Sequence, residues 1–475
     1  MKINKDLCDI CGTCPSVCPV EAIKIKEFEV LIDNEKCKKC QNCVKICPVQ
    51  AIYEQQEAKE PSQSNLSKET NFISKNEIKH PIEYDAIVIG AGPAGSVAAR
   101  FLAENGCSVL ILERDREPGI PVRCAEGVSH NGILPYIEID ERWISATIDG
   151  ARLHSPNGDS LDMYNNGTGY VLDRRVFDRS LADLAVSKGA ILQTKADAVG
   201  LLRDSENKII GVKYRHENSF IDVRSKIVIG ADGIESQVGR WAGFDTCLKL
   251  SDLEICCQYT VNNIKIEKHL CQFYFGKEVA PGGYLWIFPK SETQANIGIG
   301  IAGIKSLPGK GPRYYLDKFM EKHYPQASIN YMIYGGVPTR AGNDFVRQNV
   351  MLVGDAAHQV NPITGGGTVQ AMMGGHYCGE TAAKLIKQGN ITEKSLKKYN
   401  EKWENRFGQN QRFMYALKSK FFGFDDNKFN SIVSICKKIP RDDFNLQSLF
   451  KETIKEDPIL LAQLATAFLV SKVTK

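Results

Sequence analysis

Tyr84–Ile89 is a short apolar run, and Pro93–Glu104 returns to apolar positions at helical spacing. Ser108–Leu112 is apolar again. A buried strand, a helix and a second buried strand in that order predict a parallel βαβ unit. Helical spacing recurs over Val176–Ser187, and alternating positions then lead to the apolar strand Ile227–Ile229. Between 245 and 345, Val, Ile, Tyr and Phe recur between turn residues, which predicts an inserted sheet. Val350–Val353 reads as another buried strand, followed by a glycine-rich turn and a helix from about Gly366 to Lys387. Residues 393–475 read as helices only. Residues 54–80 have no apolar period and are rich in Glu, Lys, Ser, Asn and Gln, so they read as a linker. As a flexible coil it would reach ~25–30 Å and tether a mobile module beside a larger body.

That module is the first 53 residues, and it contains an internal repeat. Cys8, Cys11, Cys14 and Cys18-Pro19 recur twenty-nine residues later as Cys37, Cys40, Cys43 and Cys47-Pro48. Eight of the sixteen cysteines of the 475-residue chain are spent here, and the rest scatter from Cys107 to Cys436. There is no charged start followed by an apolar stretch, so no signal peptide is expected. No apolar window reaches membrane-spanning length, Ile459–Val470 included. A formal charge of +4 gives no reason to expect a nucleic-acid surface. A reducing, cytoplasmic compartment follows, where clustered cysteines mean metal.

C-x2-C-x2-C-x3-C-P, present twice, is the two-cluster ferredoxin signature. Three cysteines at three-residue steps embrace one [4Fe–4S] cube, and the fourth turns away to complete the other. The expected ligand sets are Cys8, Cys11, Cys14 and Cys47 for one cluster, and Cys37, Cys40, Cys43 and Cys18 for its twin. Structural zinc favours a longer gap between two cysteine pairs, and disulfides conflict with the compartment.

Gly90-Ala91-Gly92-Pro93-Ala94-Gly95 follows a predicted strand and opens a helix, and Glu113 ends the next strand. In that context Gly90, Gly92 and Gly95 admit a pyrophosphate to the backbone, the helix N-terminus favours its charge, and Glu113 accepts ribose hydroxyls. The loop alone does not separate NAD from FAD. Ile229-Gly230-Ala231-Asp232-Gly233 and Gly354-Asp355-Ala356-Ala357 do: with the glycine loop they resemble the FAD-dependent hydroxylase-like oxidoreductases. The resemblance places Asp355 on flavin ribityl or ribose hydroxyls. It also turns a helix N-terminus, after Pro362–Gly367, toward the flavin pyrimidine ring.

Within that group the chain resembles the geranylgeranyl reductases over residues 82–470. The marks are Pro121-Val122-Arg123-Cys124-Ala125-Glu126-Gly127, Gly169–Arg174, and Tyr284-x-Trp286-x-Phe288-Pro289 continuing to Gly298-Ile299-Gly300. The resemblance implies FAD contacts from Ala94, Glu113, Arg123, Cys124, Ala125, Gly127, Arg174, Ala198, Asp355, Gly366, Gly367 and Thr368. It also implies hydrogenation of C=C bonds in geranylgeranyl chains, of archaeal-type ether lipids first. Protonation of one alkene carbon would accompany hydride addition to the other. Tyr284, Trp286 and Phe288 alternate along one strand and so share a face, where aromatic rings would stabilise the developing cation. Cys124 is a candidate proton relay or simply a wall of the flavin pocket, Tyr284 is the other candidate acid, and His358 has no assigned role.

The expected fold is α/β, α+β overall. It has a ferredoxin-like α+β module at 1–53, a linker at 54–80 and a Rossmann-like FAD-binding domain of aromatic-hydroxylase type at 81–244 and 346–390. An inserted mixed-sheet substrate domain occupies 245–345, and a helical region occupies 391–475. The expected partners are a prenyl lipid, a low-potential donor such as reduced ferredoxin, and a membrane face touched peripherally. The basic and aromatic stretch Gln411–Phe422 reads better as a helix covering the catalytic domain, its lysines solvated, than as a membrane helix. Two other functions remain open at this point. One is an electron-transfer flavoprotein:quinone oxidoreductase, whose cluster module usually follows the flavin domain. The other is an electron carrier without alkene chemistry. Halogenases carry a different aromatic motif, W-x-W-x-I-P.

Overall fold

The computed structural model describes residues 1–26, 29–54 and 83–439. The sequence-predicted linker beyond Glu54 and the segment Ile459–Val470 lie outside the described residues.

The N-terminal module is built twice over. Strand Lys2–Ile3 pairs with Ile52–Tyr53, strand Ile23–Lys26 pairs with Glu29–Ile32, and short helices span Thr13–Ser16 and Asn42–Ile46. The repeat extends to the backbone. Ile10, Gly12 and Glu21 have positive φ, and so do Lys39, Gln41 and Gln50, each twenty-nine positions on. Left-handed turns at matching sites bend both cysteine loops the same way.

The module does not stand apart. Val17 and Ile46 are buried in one apolar cluster with Leu253, Ile255, Leu285 and Ile287 of the main body. The Leu248 amide donates to the Ser16 carbonyl at 2.8 Å, and Arg240 Nη1 donates to the Pro15 carbonyl at 2.8 Å. The tethered, mobile module expected from the sequence is instead packed against the body through a continuous core, because its outward apolar residues need cover.

One eight-stranded sheet carries the βαβ unit. Its order is Ile191–Gln193, Val109–Leu112, Glu83–Ile89, Ser219–Gly230, Ile209–His216 and Ala196–Arg203, with Val350–Leu352 also pairing Ser219–Gly230 and carrying Val346–Arg347. The apolar runs at Ala86–Ile89 and Val109–Leu112 are buried and pair in parallel. Helix Pro93–Ala103 begins with proline in its first turn, where a missing N–H costs nothing. Helix Thr368–Lys387 packs closely on it. A Cβ on Gly375 or Gly379 would stand 2.3 Å from the Ala94 carbonyl oxygen or 2.5 Å from that of Ala98.

The second sheet also has eight strands, in the order Ser328–Pro338, Leu253–Asn262, Ala295–Ala302, Tyr284–Pro289, Leu270–Tyr274, Ile144–His154, Ser160–Leu172 and Gly127–Ser129. Strands within 127–172, assigned from sequence to the FAD-binding region, complete this sheet because Leu270–Tyr274 recruits Ile144–His154 in parallel. Helix Pro312–His323, within the segment read as strands, buries Leu316, Phe319 and Met320. The C-terminal region is helical as far as it is described, including Gln409–Phe421 and Asp426–Lys437. No helix among the described residues is long and apolar enough to cross a membrane.

Candidate active site and cluster sites

Each cysteine quartet lines its own pocket. Cys8, Cys11, Cys14 and Cys47 surround one with Ile3, Val30 and Val49, and Cys18, Cys37, Cys40 and Cys43 surround the other with Val17, Ile23 and Ile32. Among the described residues no three His, Cys, Asp or Glu side chains are placed to hold a single metal ion. Thiols ringing a volume suit a cube of iron and sulfur better than one zinc. The Ala22 amide donates to Cys18 Sγ at 3.3 Å and the Ala51 amide to Cys47 Sγ at 3.2 Å, again at repeated positions. Burial and neighbouring thiols push Cys43 and Cys47 up to about 11, so these two thiols give up their protons most readily to a polycationic core. Cys40 is the one exposed member of the eight.

The three flavin motifs, far apart in sequence, meet at one point. A Cβ on Gly90, which has φ 101°, would lie 2.4 Å from the Ala231 carbonyl oxygen, and one on Gly95 would lie 1.9 Å from that of Gly90. Gly354 lies against Ala94, where a Cβ would come within 2.9 Å of the Ala94 Cβ. Glu113 accepts from the amides of Ala91 at 2.7 Å and Asp115 at 2.8 Å, closing the glycine loop onto the second strand. The Ala196 amide donates to the Glu113 carbonyl, which brings Ala198 to the same sheet end. Arg174 is paired with the buried Asp178 at 2.5 Å and reaches Thr368 Oγ1 at 3.4 Å. Burial pushes Asp355 up to about 6, against the pull of Arg174. Asp355 Oδ1 would stand 3.4 Å from a Cβ on Gly367, and the Gly366 carbonyl accepts from the Asn361 amide. A crowded glycine cradle with a buried carboxylate and arginine around it fits a dinucleotide such as FAD.

Arg123 departs from the expected set. Its guanidinium turns to the cysteine module, meeting Asp9 Oδ2 at 2.9 Å and the carbonyls of Asp9, Ile10 and Tyr334. The rest of its loop faces the second sheet. Cys124 Sγ accepts from the Glu126 amide at 3.2 Å, and the Cys124 carbonyl accepts from Gln258 Nε2 at 3.1 Å. Gln258 Oε1 in turn accepts from Trp286 Nε1 at 2.8 Å. Asn296 Nδ2 lies 3.5 Å from the Ala125 carbonyl, and Gly127 lies so close to the Phe288 ring that a Cβ would come within 2.6 Å. Glu126 is buried and held by Lys290, by Asn296 at 2.6 Å and by the Arg174 amide at 3.0 Å, so it fixes the loop.

Tyr284, Trp286 and Phe288 do share one face, while Leu285 and Ile287 are buried on the other. Phe273 joins them, its ring centroid 5.7 Å from both Tyr284 and Phe288, and Phe275 lies 6.1 Å from Tyr284. The spaced G-x-G has a local reason: a Cβ on Gly298 would penetrate the Trp286 ring at 2.4 Å. Phe421 and Phe429 close the far end against Phe275. Helix Gln409–Phe421 covers this region, with the Tyr415 hydroxyl donating to Asp252 at 2.7 Å and Gln411 to the carbonyls of His358 and Val360. Lys418 is buried, not solvated as the sequence suggested, because it meets a carboxylate inside. Sequence reasoning missed Gln258, Asn296, Phe273 and Phe275, which become visible only once strand register is known.

Comparison with known proteins agrees with this anatomy. A family model described as a 4Fe-4S dicluster domain matches residues 7–51, an FAD binding domain matches 83–255, and a geranylgeranyl reductase catalytic domain matches 252–337. Digeranylgeranylglycerophospholipid reductase 1 of Methanococcoides burtonii is 42% identical over 391 residues, 81% of this chain and 95% of that protein. Its counterpart from Methanosarcina acetivorans is 42% identical over 392 residues, covering 81% and 96%. A crystal structure of a geranylgeranyl bacteriochlorophyll reductase-like protein from Thermoplasma acidophilum superposes with a TM-score of 0.77 at 33% identity, covering 81% of this chain and 99% of that one. A flavin-dependent brominase, at TM-score 0.60 and 18% identity, shares the fold alone.

Proposed function

Because this chain belongs to the digeranylgeranylglycerophospholipid reductase family, an FAD-dependent oxidoreductase acting on C=C bonds with iron–sulfur clusters as its electron inlet, we propose that it hydrogenates geranylgeranyl chains of ether lipids. The observation that carries this is the aromatic slot of Tyr284, Trp286, Phe288 and Phe273, tied through Gln258 to the Cys124 loop. A slot of ring faces accepts a prenyl chain and stabilises positive charge on the more substituted alkene carbon.

The residues divide the work. The glycine cradle, Glu113, Arg174 and Asp355 would hold FAD, which when bound supplies hydride to the alkene. The two cysteine quartets would hold [4Fe–4S] clusters and pass single electrons inward. An external low-potential donor such as reduced ferredoxin would load the exposed Cys40 side. Exposed Ile329, Tyr331 and Met332 on the edge strand of the second sheet suit a peripheral contact through which a membrane lipid enters.

An anaerobic assay tests the proposal. Reconstituted protein with a low-potential reductant is offered geranylgeranyl ether lipid, geranylgeranyl diphosphate and menaquinone separately, and mass spectrometry counts added hydrogen pairs. Hydrogen gain on the ether lipid is the expected result. Ring reduction of the quinone with no gain on any prenyl chain would overturn it in favour of a quinone oxidoreductase.

A further inference from the structure

The slot contains a carboxyl group that no motif announces. Strand Leu253–Asn262 lies two strands from Tyr284–Pro289, and the register aligns Tyr284 with Gly300 and Cys256, and Trp286 with Gly298 and Gln258. Alternation then puts Glu254 on the same face, one row beyond Tyr284. Its partner on the edge strand is Val337, whose Cγ1 would lie 3.7 Å from a Cβ on Gly365 in the loop before helix Thr368–Lys387. Tyr284 donates its hydroxyl to the Thr364 carbonyl of that loop. Glu254 therefore sits where the aromatic slot meets the loop assigned to the flavin.

Glu254 is 9% exposed, and among the described residues its carboxylate meets no polar partner but the Lys418 ammonium. Oε1 lies 3.1 Å from Lys418 Nζ, and Oε2 reaches over Gly283, where a Cβ would stand at 3.4 Å. Lys418 is buried too, donating to the Ser251 carbonyl at 3.0 Å and to Thr339 Oγ1. Among the described residues the other titratable groups around Glu254 are Cys256 and Tyr284, with Asp252 and Tyr415 bonded to each other nearby. Burial raises Glu254 to about 7 although Lys418 opposes it, so the acid and its anion are both populated near neutral pH. The rival donors are less suited. Burial pushes the Tyr284 phenol up, away from acidity, and its proton is committed to Thr364. Glu126 is already saturated by Lys290, Asn296 and the Arg174 amide.

We propose that Glu254 gives the proton that completes hydrogenation of the prenyl double bond, with Lys418 as its positioning residue. The inference rests on the alkene-reductase reading above. The Glu254 O–H bond breaks, and the π electron pair of the alkene forms the new C–H bond with that proton. The other carbon accepts hydride, both electrons coming from reduced FAD, so the alkene is reduced and the flavin oxidised. The carboxylate left behind faces the Lys418 ammonium and regains a proton from water after product leaves.

The test uses the holoenzyme, pre-reduced and mixed with geranylgeranyl ether lipid in single turnover across pH 5–9. In the native enzyme the rate falls with rising pH around a midpoint near 7. Glu254→Gln slows it on the order of 100-fold or more and flattens the profile, while Lys418→Met moves the midpoint upward. A readout independent of turnover is the infrared band of a protonated glutamic acid in resting enzyme. It titrates near neutral pH in the native protein and is missing in Glu254→Gln. A Glu254→Gln enzyme with native rate and profile overturns the assignment while native turnover keeps the alkene-reductase reading standing. Absence of prenyl turnover in the native enzyme overturns that reading instead. Should Glu254→Gln fail to fold, the native infrared titration decides, and no protonated glutamic band at pH 6 overturns the proposal.

Discussion

Arg123 and Asp9 meet at 2.9 Å across the boundary between the flavin-bearing body and the cysteine module, and the same guanidinium also holds the Ile10 carbonyl. The contact joins the loop of Cys124 to the loop of Cys8 and Cys11. Both partners are about a third exposed, so the pair adds less than about 1 kcal/mol to stability. Its value lies in alignment. Arg123→Ala is expected to leave the melting temperature within a few degrees. It should slow flavin reduction by a cluster-directed donor several-fold, while reduction by dithionite acting on the flavin is unchanged. Stopped-flow bleaching of the flavin absorbance, repeated at high salt, measures this. Equal slowing with both reductants would place Arg123 in the flavin site after all.

The cysteine quartets carry a second expectation. Cys11→Ser and Cys40→Ser should abolish turnover with a ferredoxin-type donor and leave hydrogenation by chemically reduced flavin intact. Loss under both conditions would make the clusters structural, which the shared apolar core between module and body makes a real competitor.

Gly298 is a third point of leverage. A methyl group there would collide with the Trp286 indole at 2.4 Å, on a fully buried strand. Gly298→Ala should cost about 1–3 kcal/mol, read by urea unfolding. It should also break the Trp286–Gln258 hydrogen bond, shifting the indole emission and raising KM for the prenyl lipid. Unchanged emission and affinity would mean the ring is not held by that glycine.

His358 gives a pH prediction. It is buried with positive φ, and burial, aided by Arg340, pushes it down to about 4. The unfolded chain takes up this proton below about 6.5 and the folded chain resists until about 4. The neutral imidazole therefore contributes stability above 6.5 that is lost as pH falls through 4, up to about 3 kcal/mol. His358→Asn, which tolerates the same backbone, should remove that part of the slope. The check is the difference between native and variant melting curves from pH 7 to 4. A constant difference would show that His358 does not titrate between the two states.

Spacing made some of this legible and register hid the rest. The two cysteine quartets that ring the pockets follow from the repeated spacing, and Gly90–Gly95 followed by Glu113 encodes a local βαβ unit, so neither needs long-range information. Tyr284, Trp286 and Phe288 share a face by alternation alone. Phe273, Gln258 and Glu254 join them only through pairing between strands distant in sequence, Glu254 opposite Ala302 among them, which no local pattern specifies. Glu254 left one trace, a single charge inside the apolar run Leu253–Cys257. Arg123 belongs to a motif that marks a flavin loop, while its side chain bonds the cysteine module through Asp9 and Ile10, a contact no local pattern announces.

The left-handed turns repeated every twenty-nine residues make the two halves of the cysteine module alike in shape, and their surfaces differ. A shift of twenty-nine carries Asp9 and Ile10 onto Lys38 and Lys39. Were the halves exchanged at the interface, Arg123 would confront lysines where it now finds a carboxylate. Like charges forbid that swap. A duplicated, near-symmetric conductor has thus been given a fixed polarity: one terminal is keyed to the body and the other, bearing Cys40, is left facing outward.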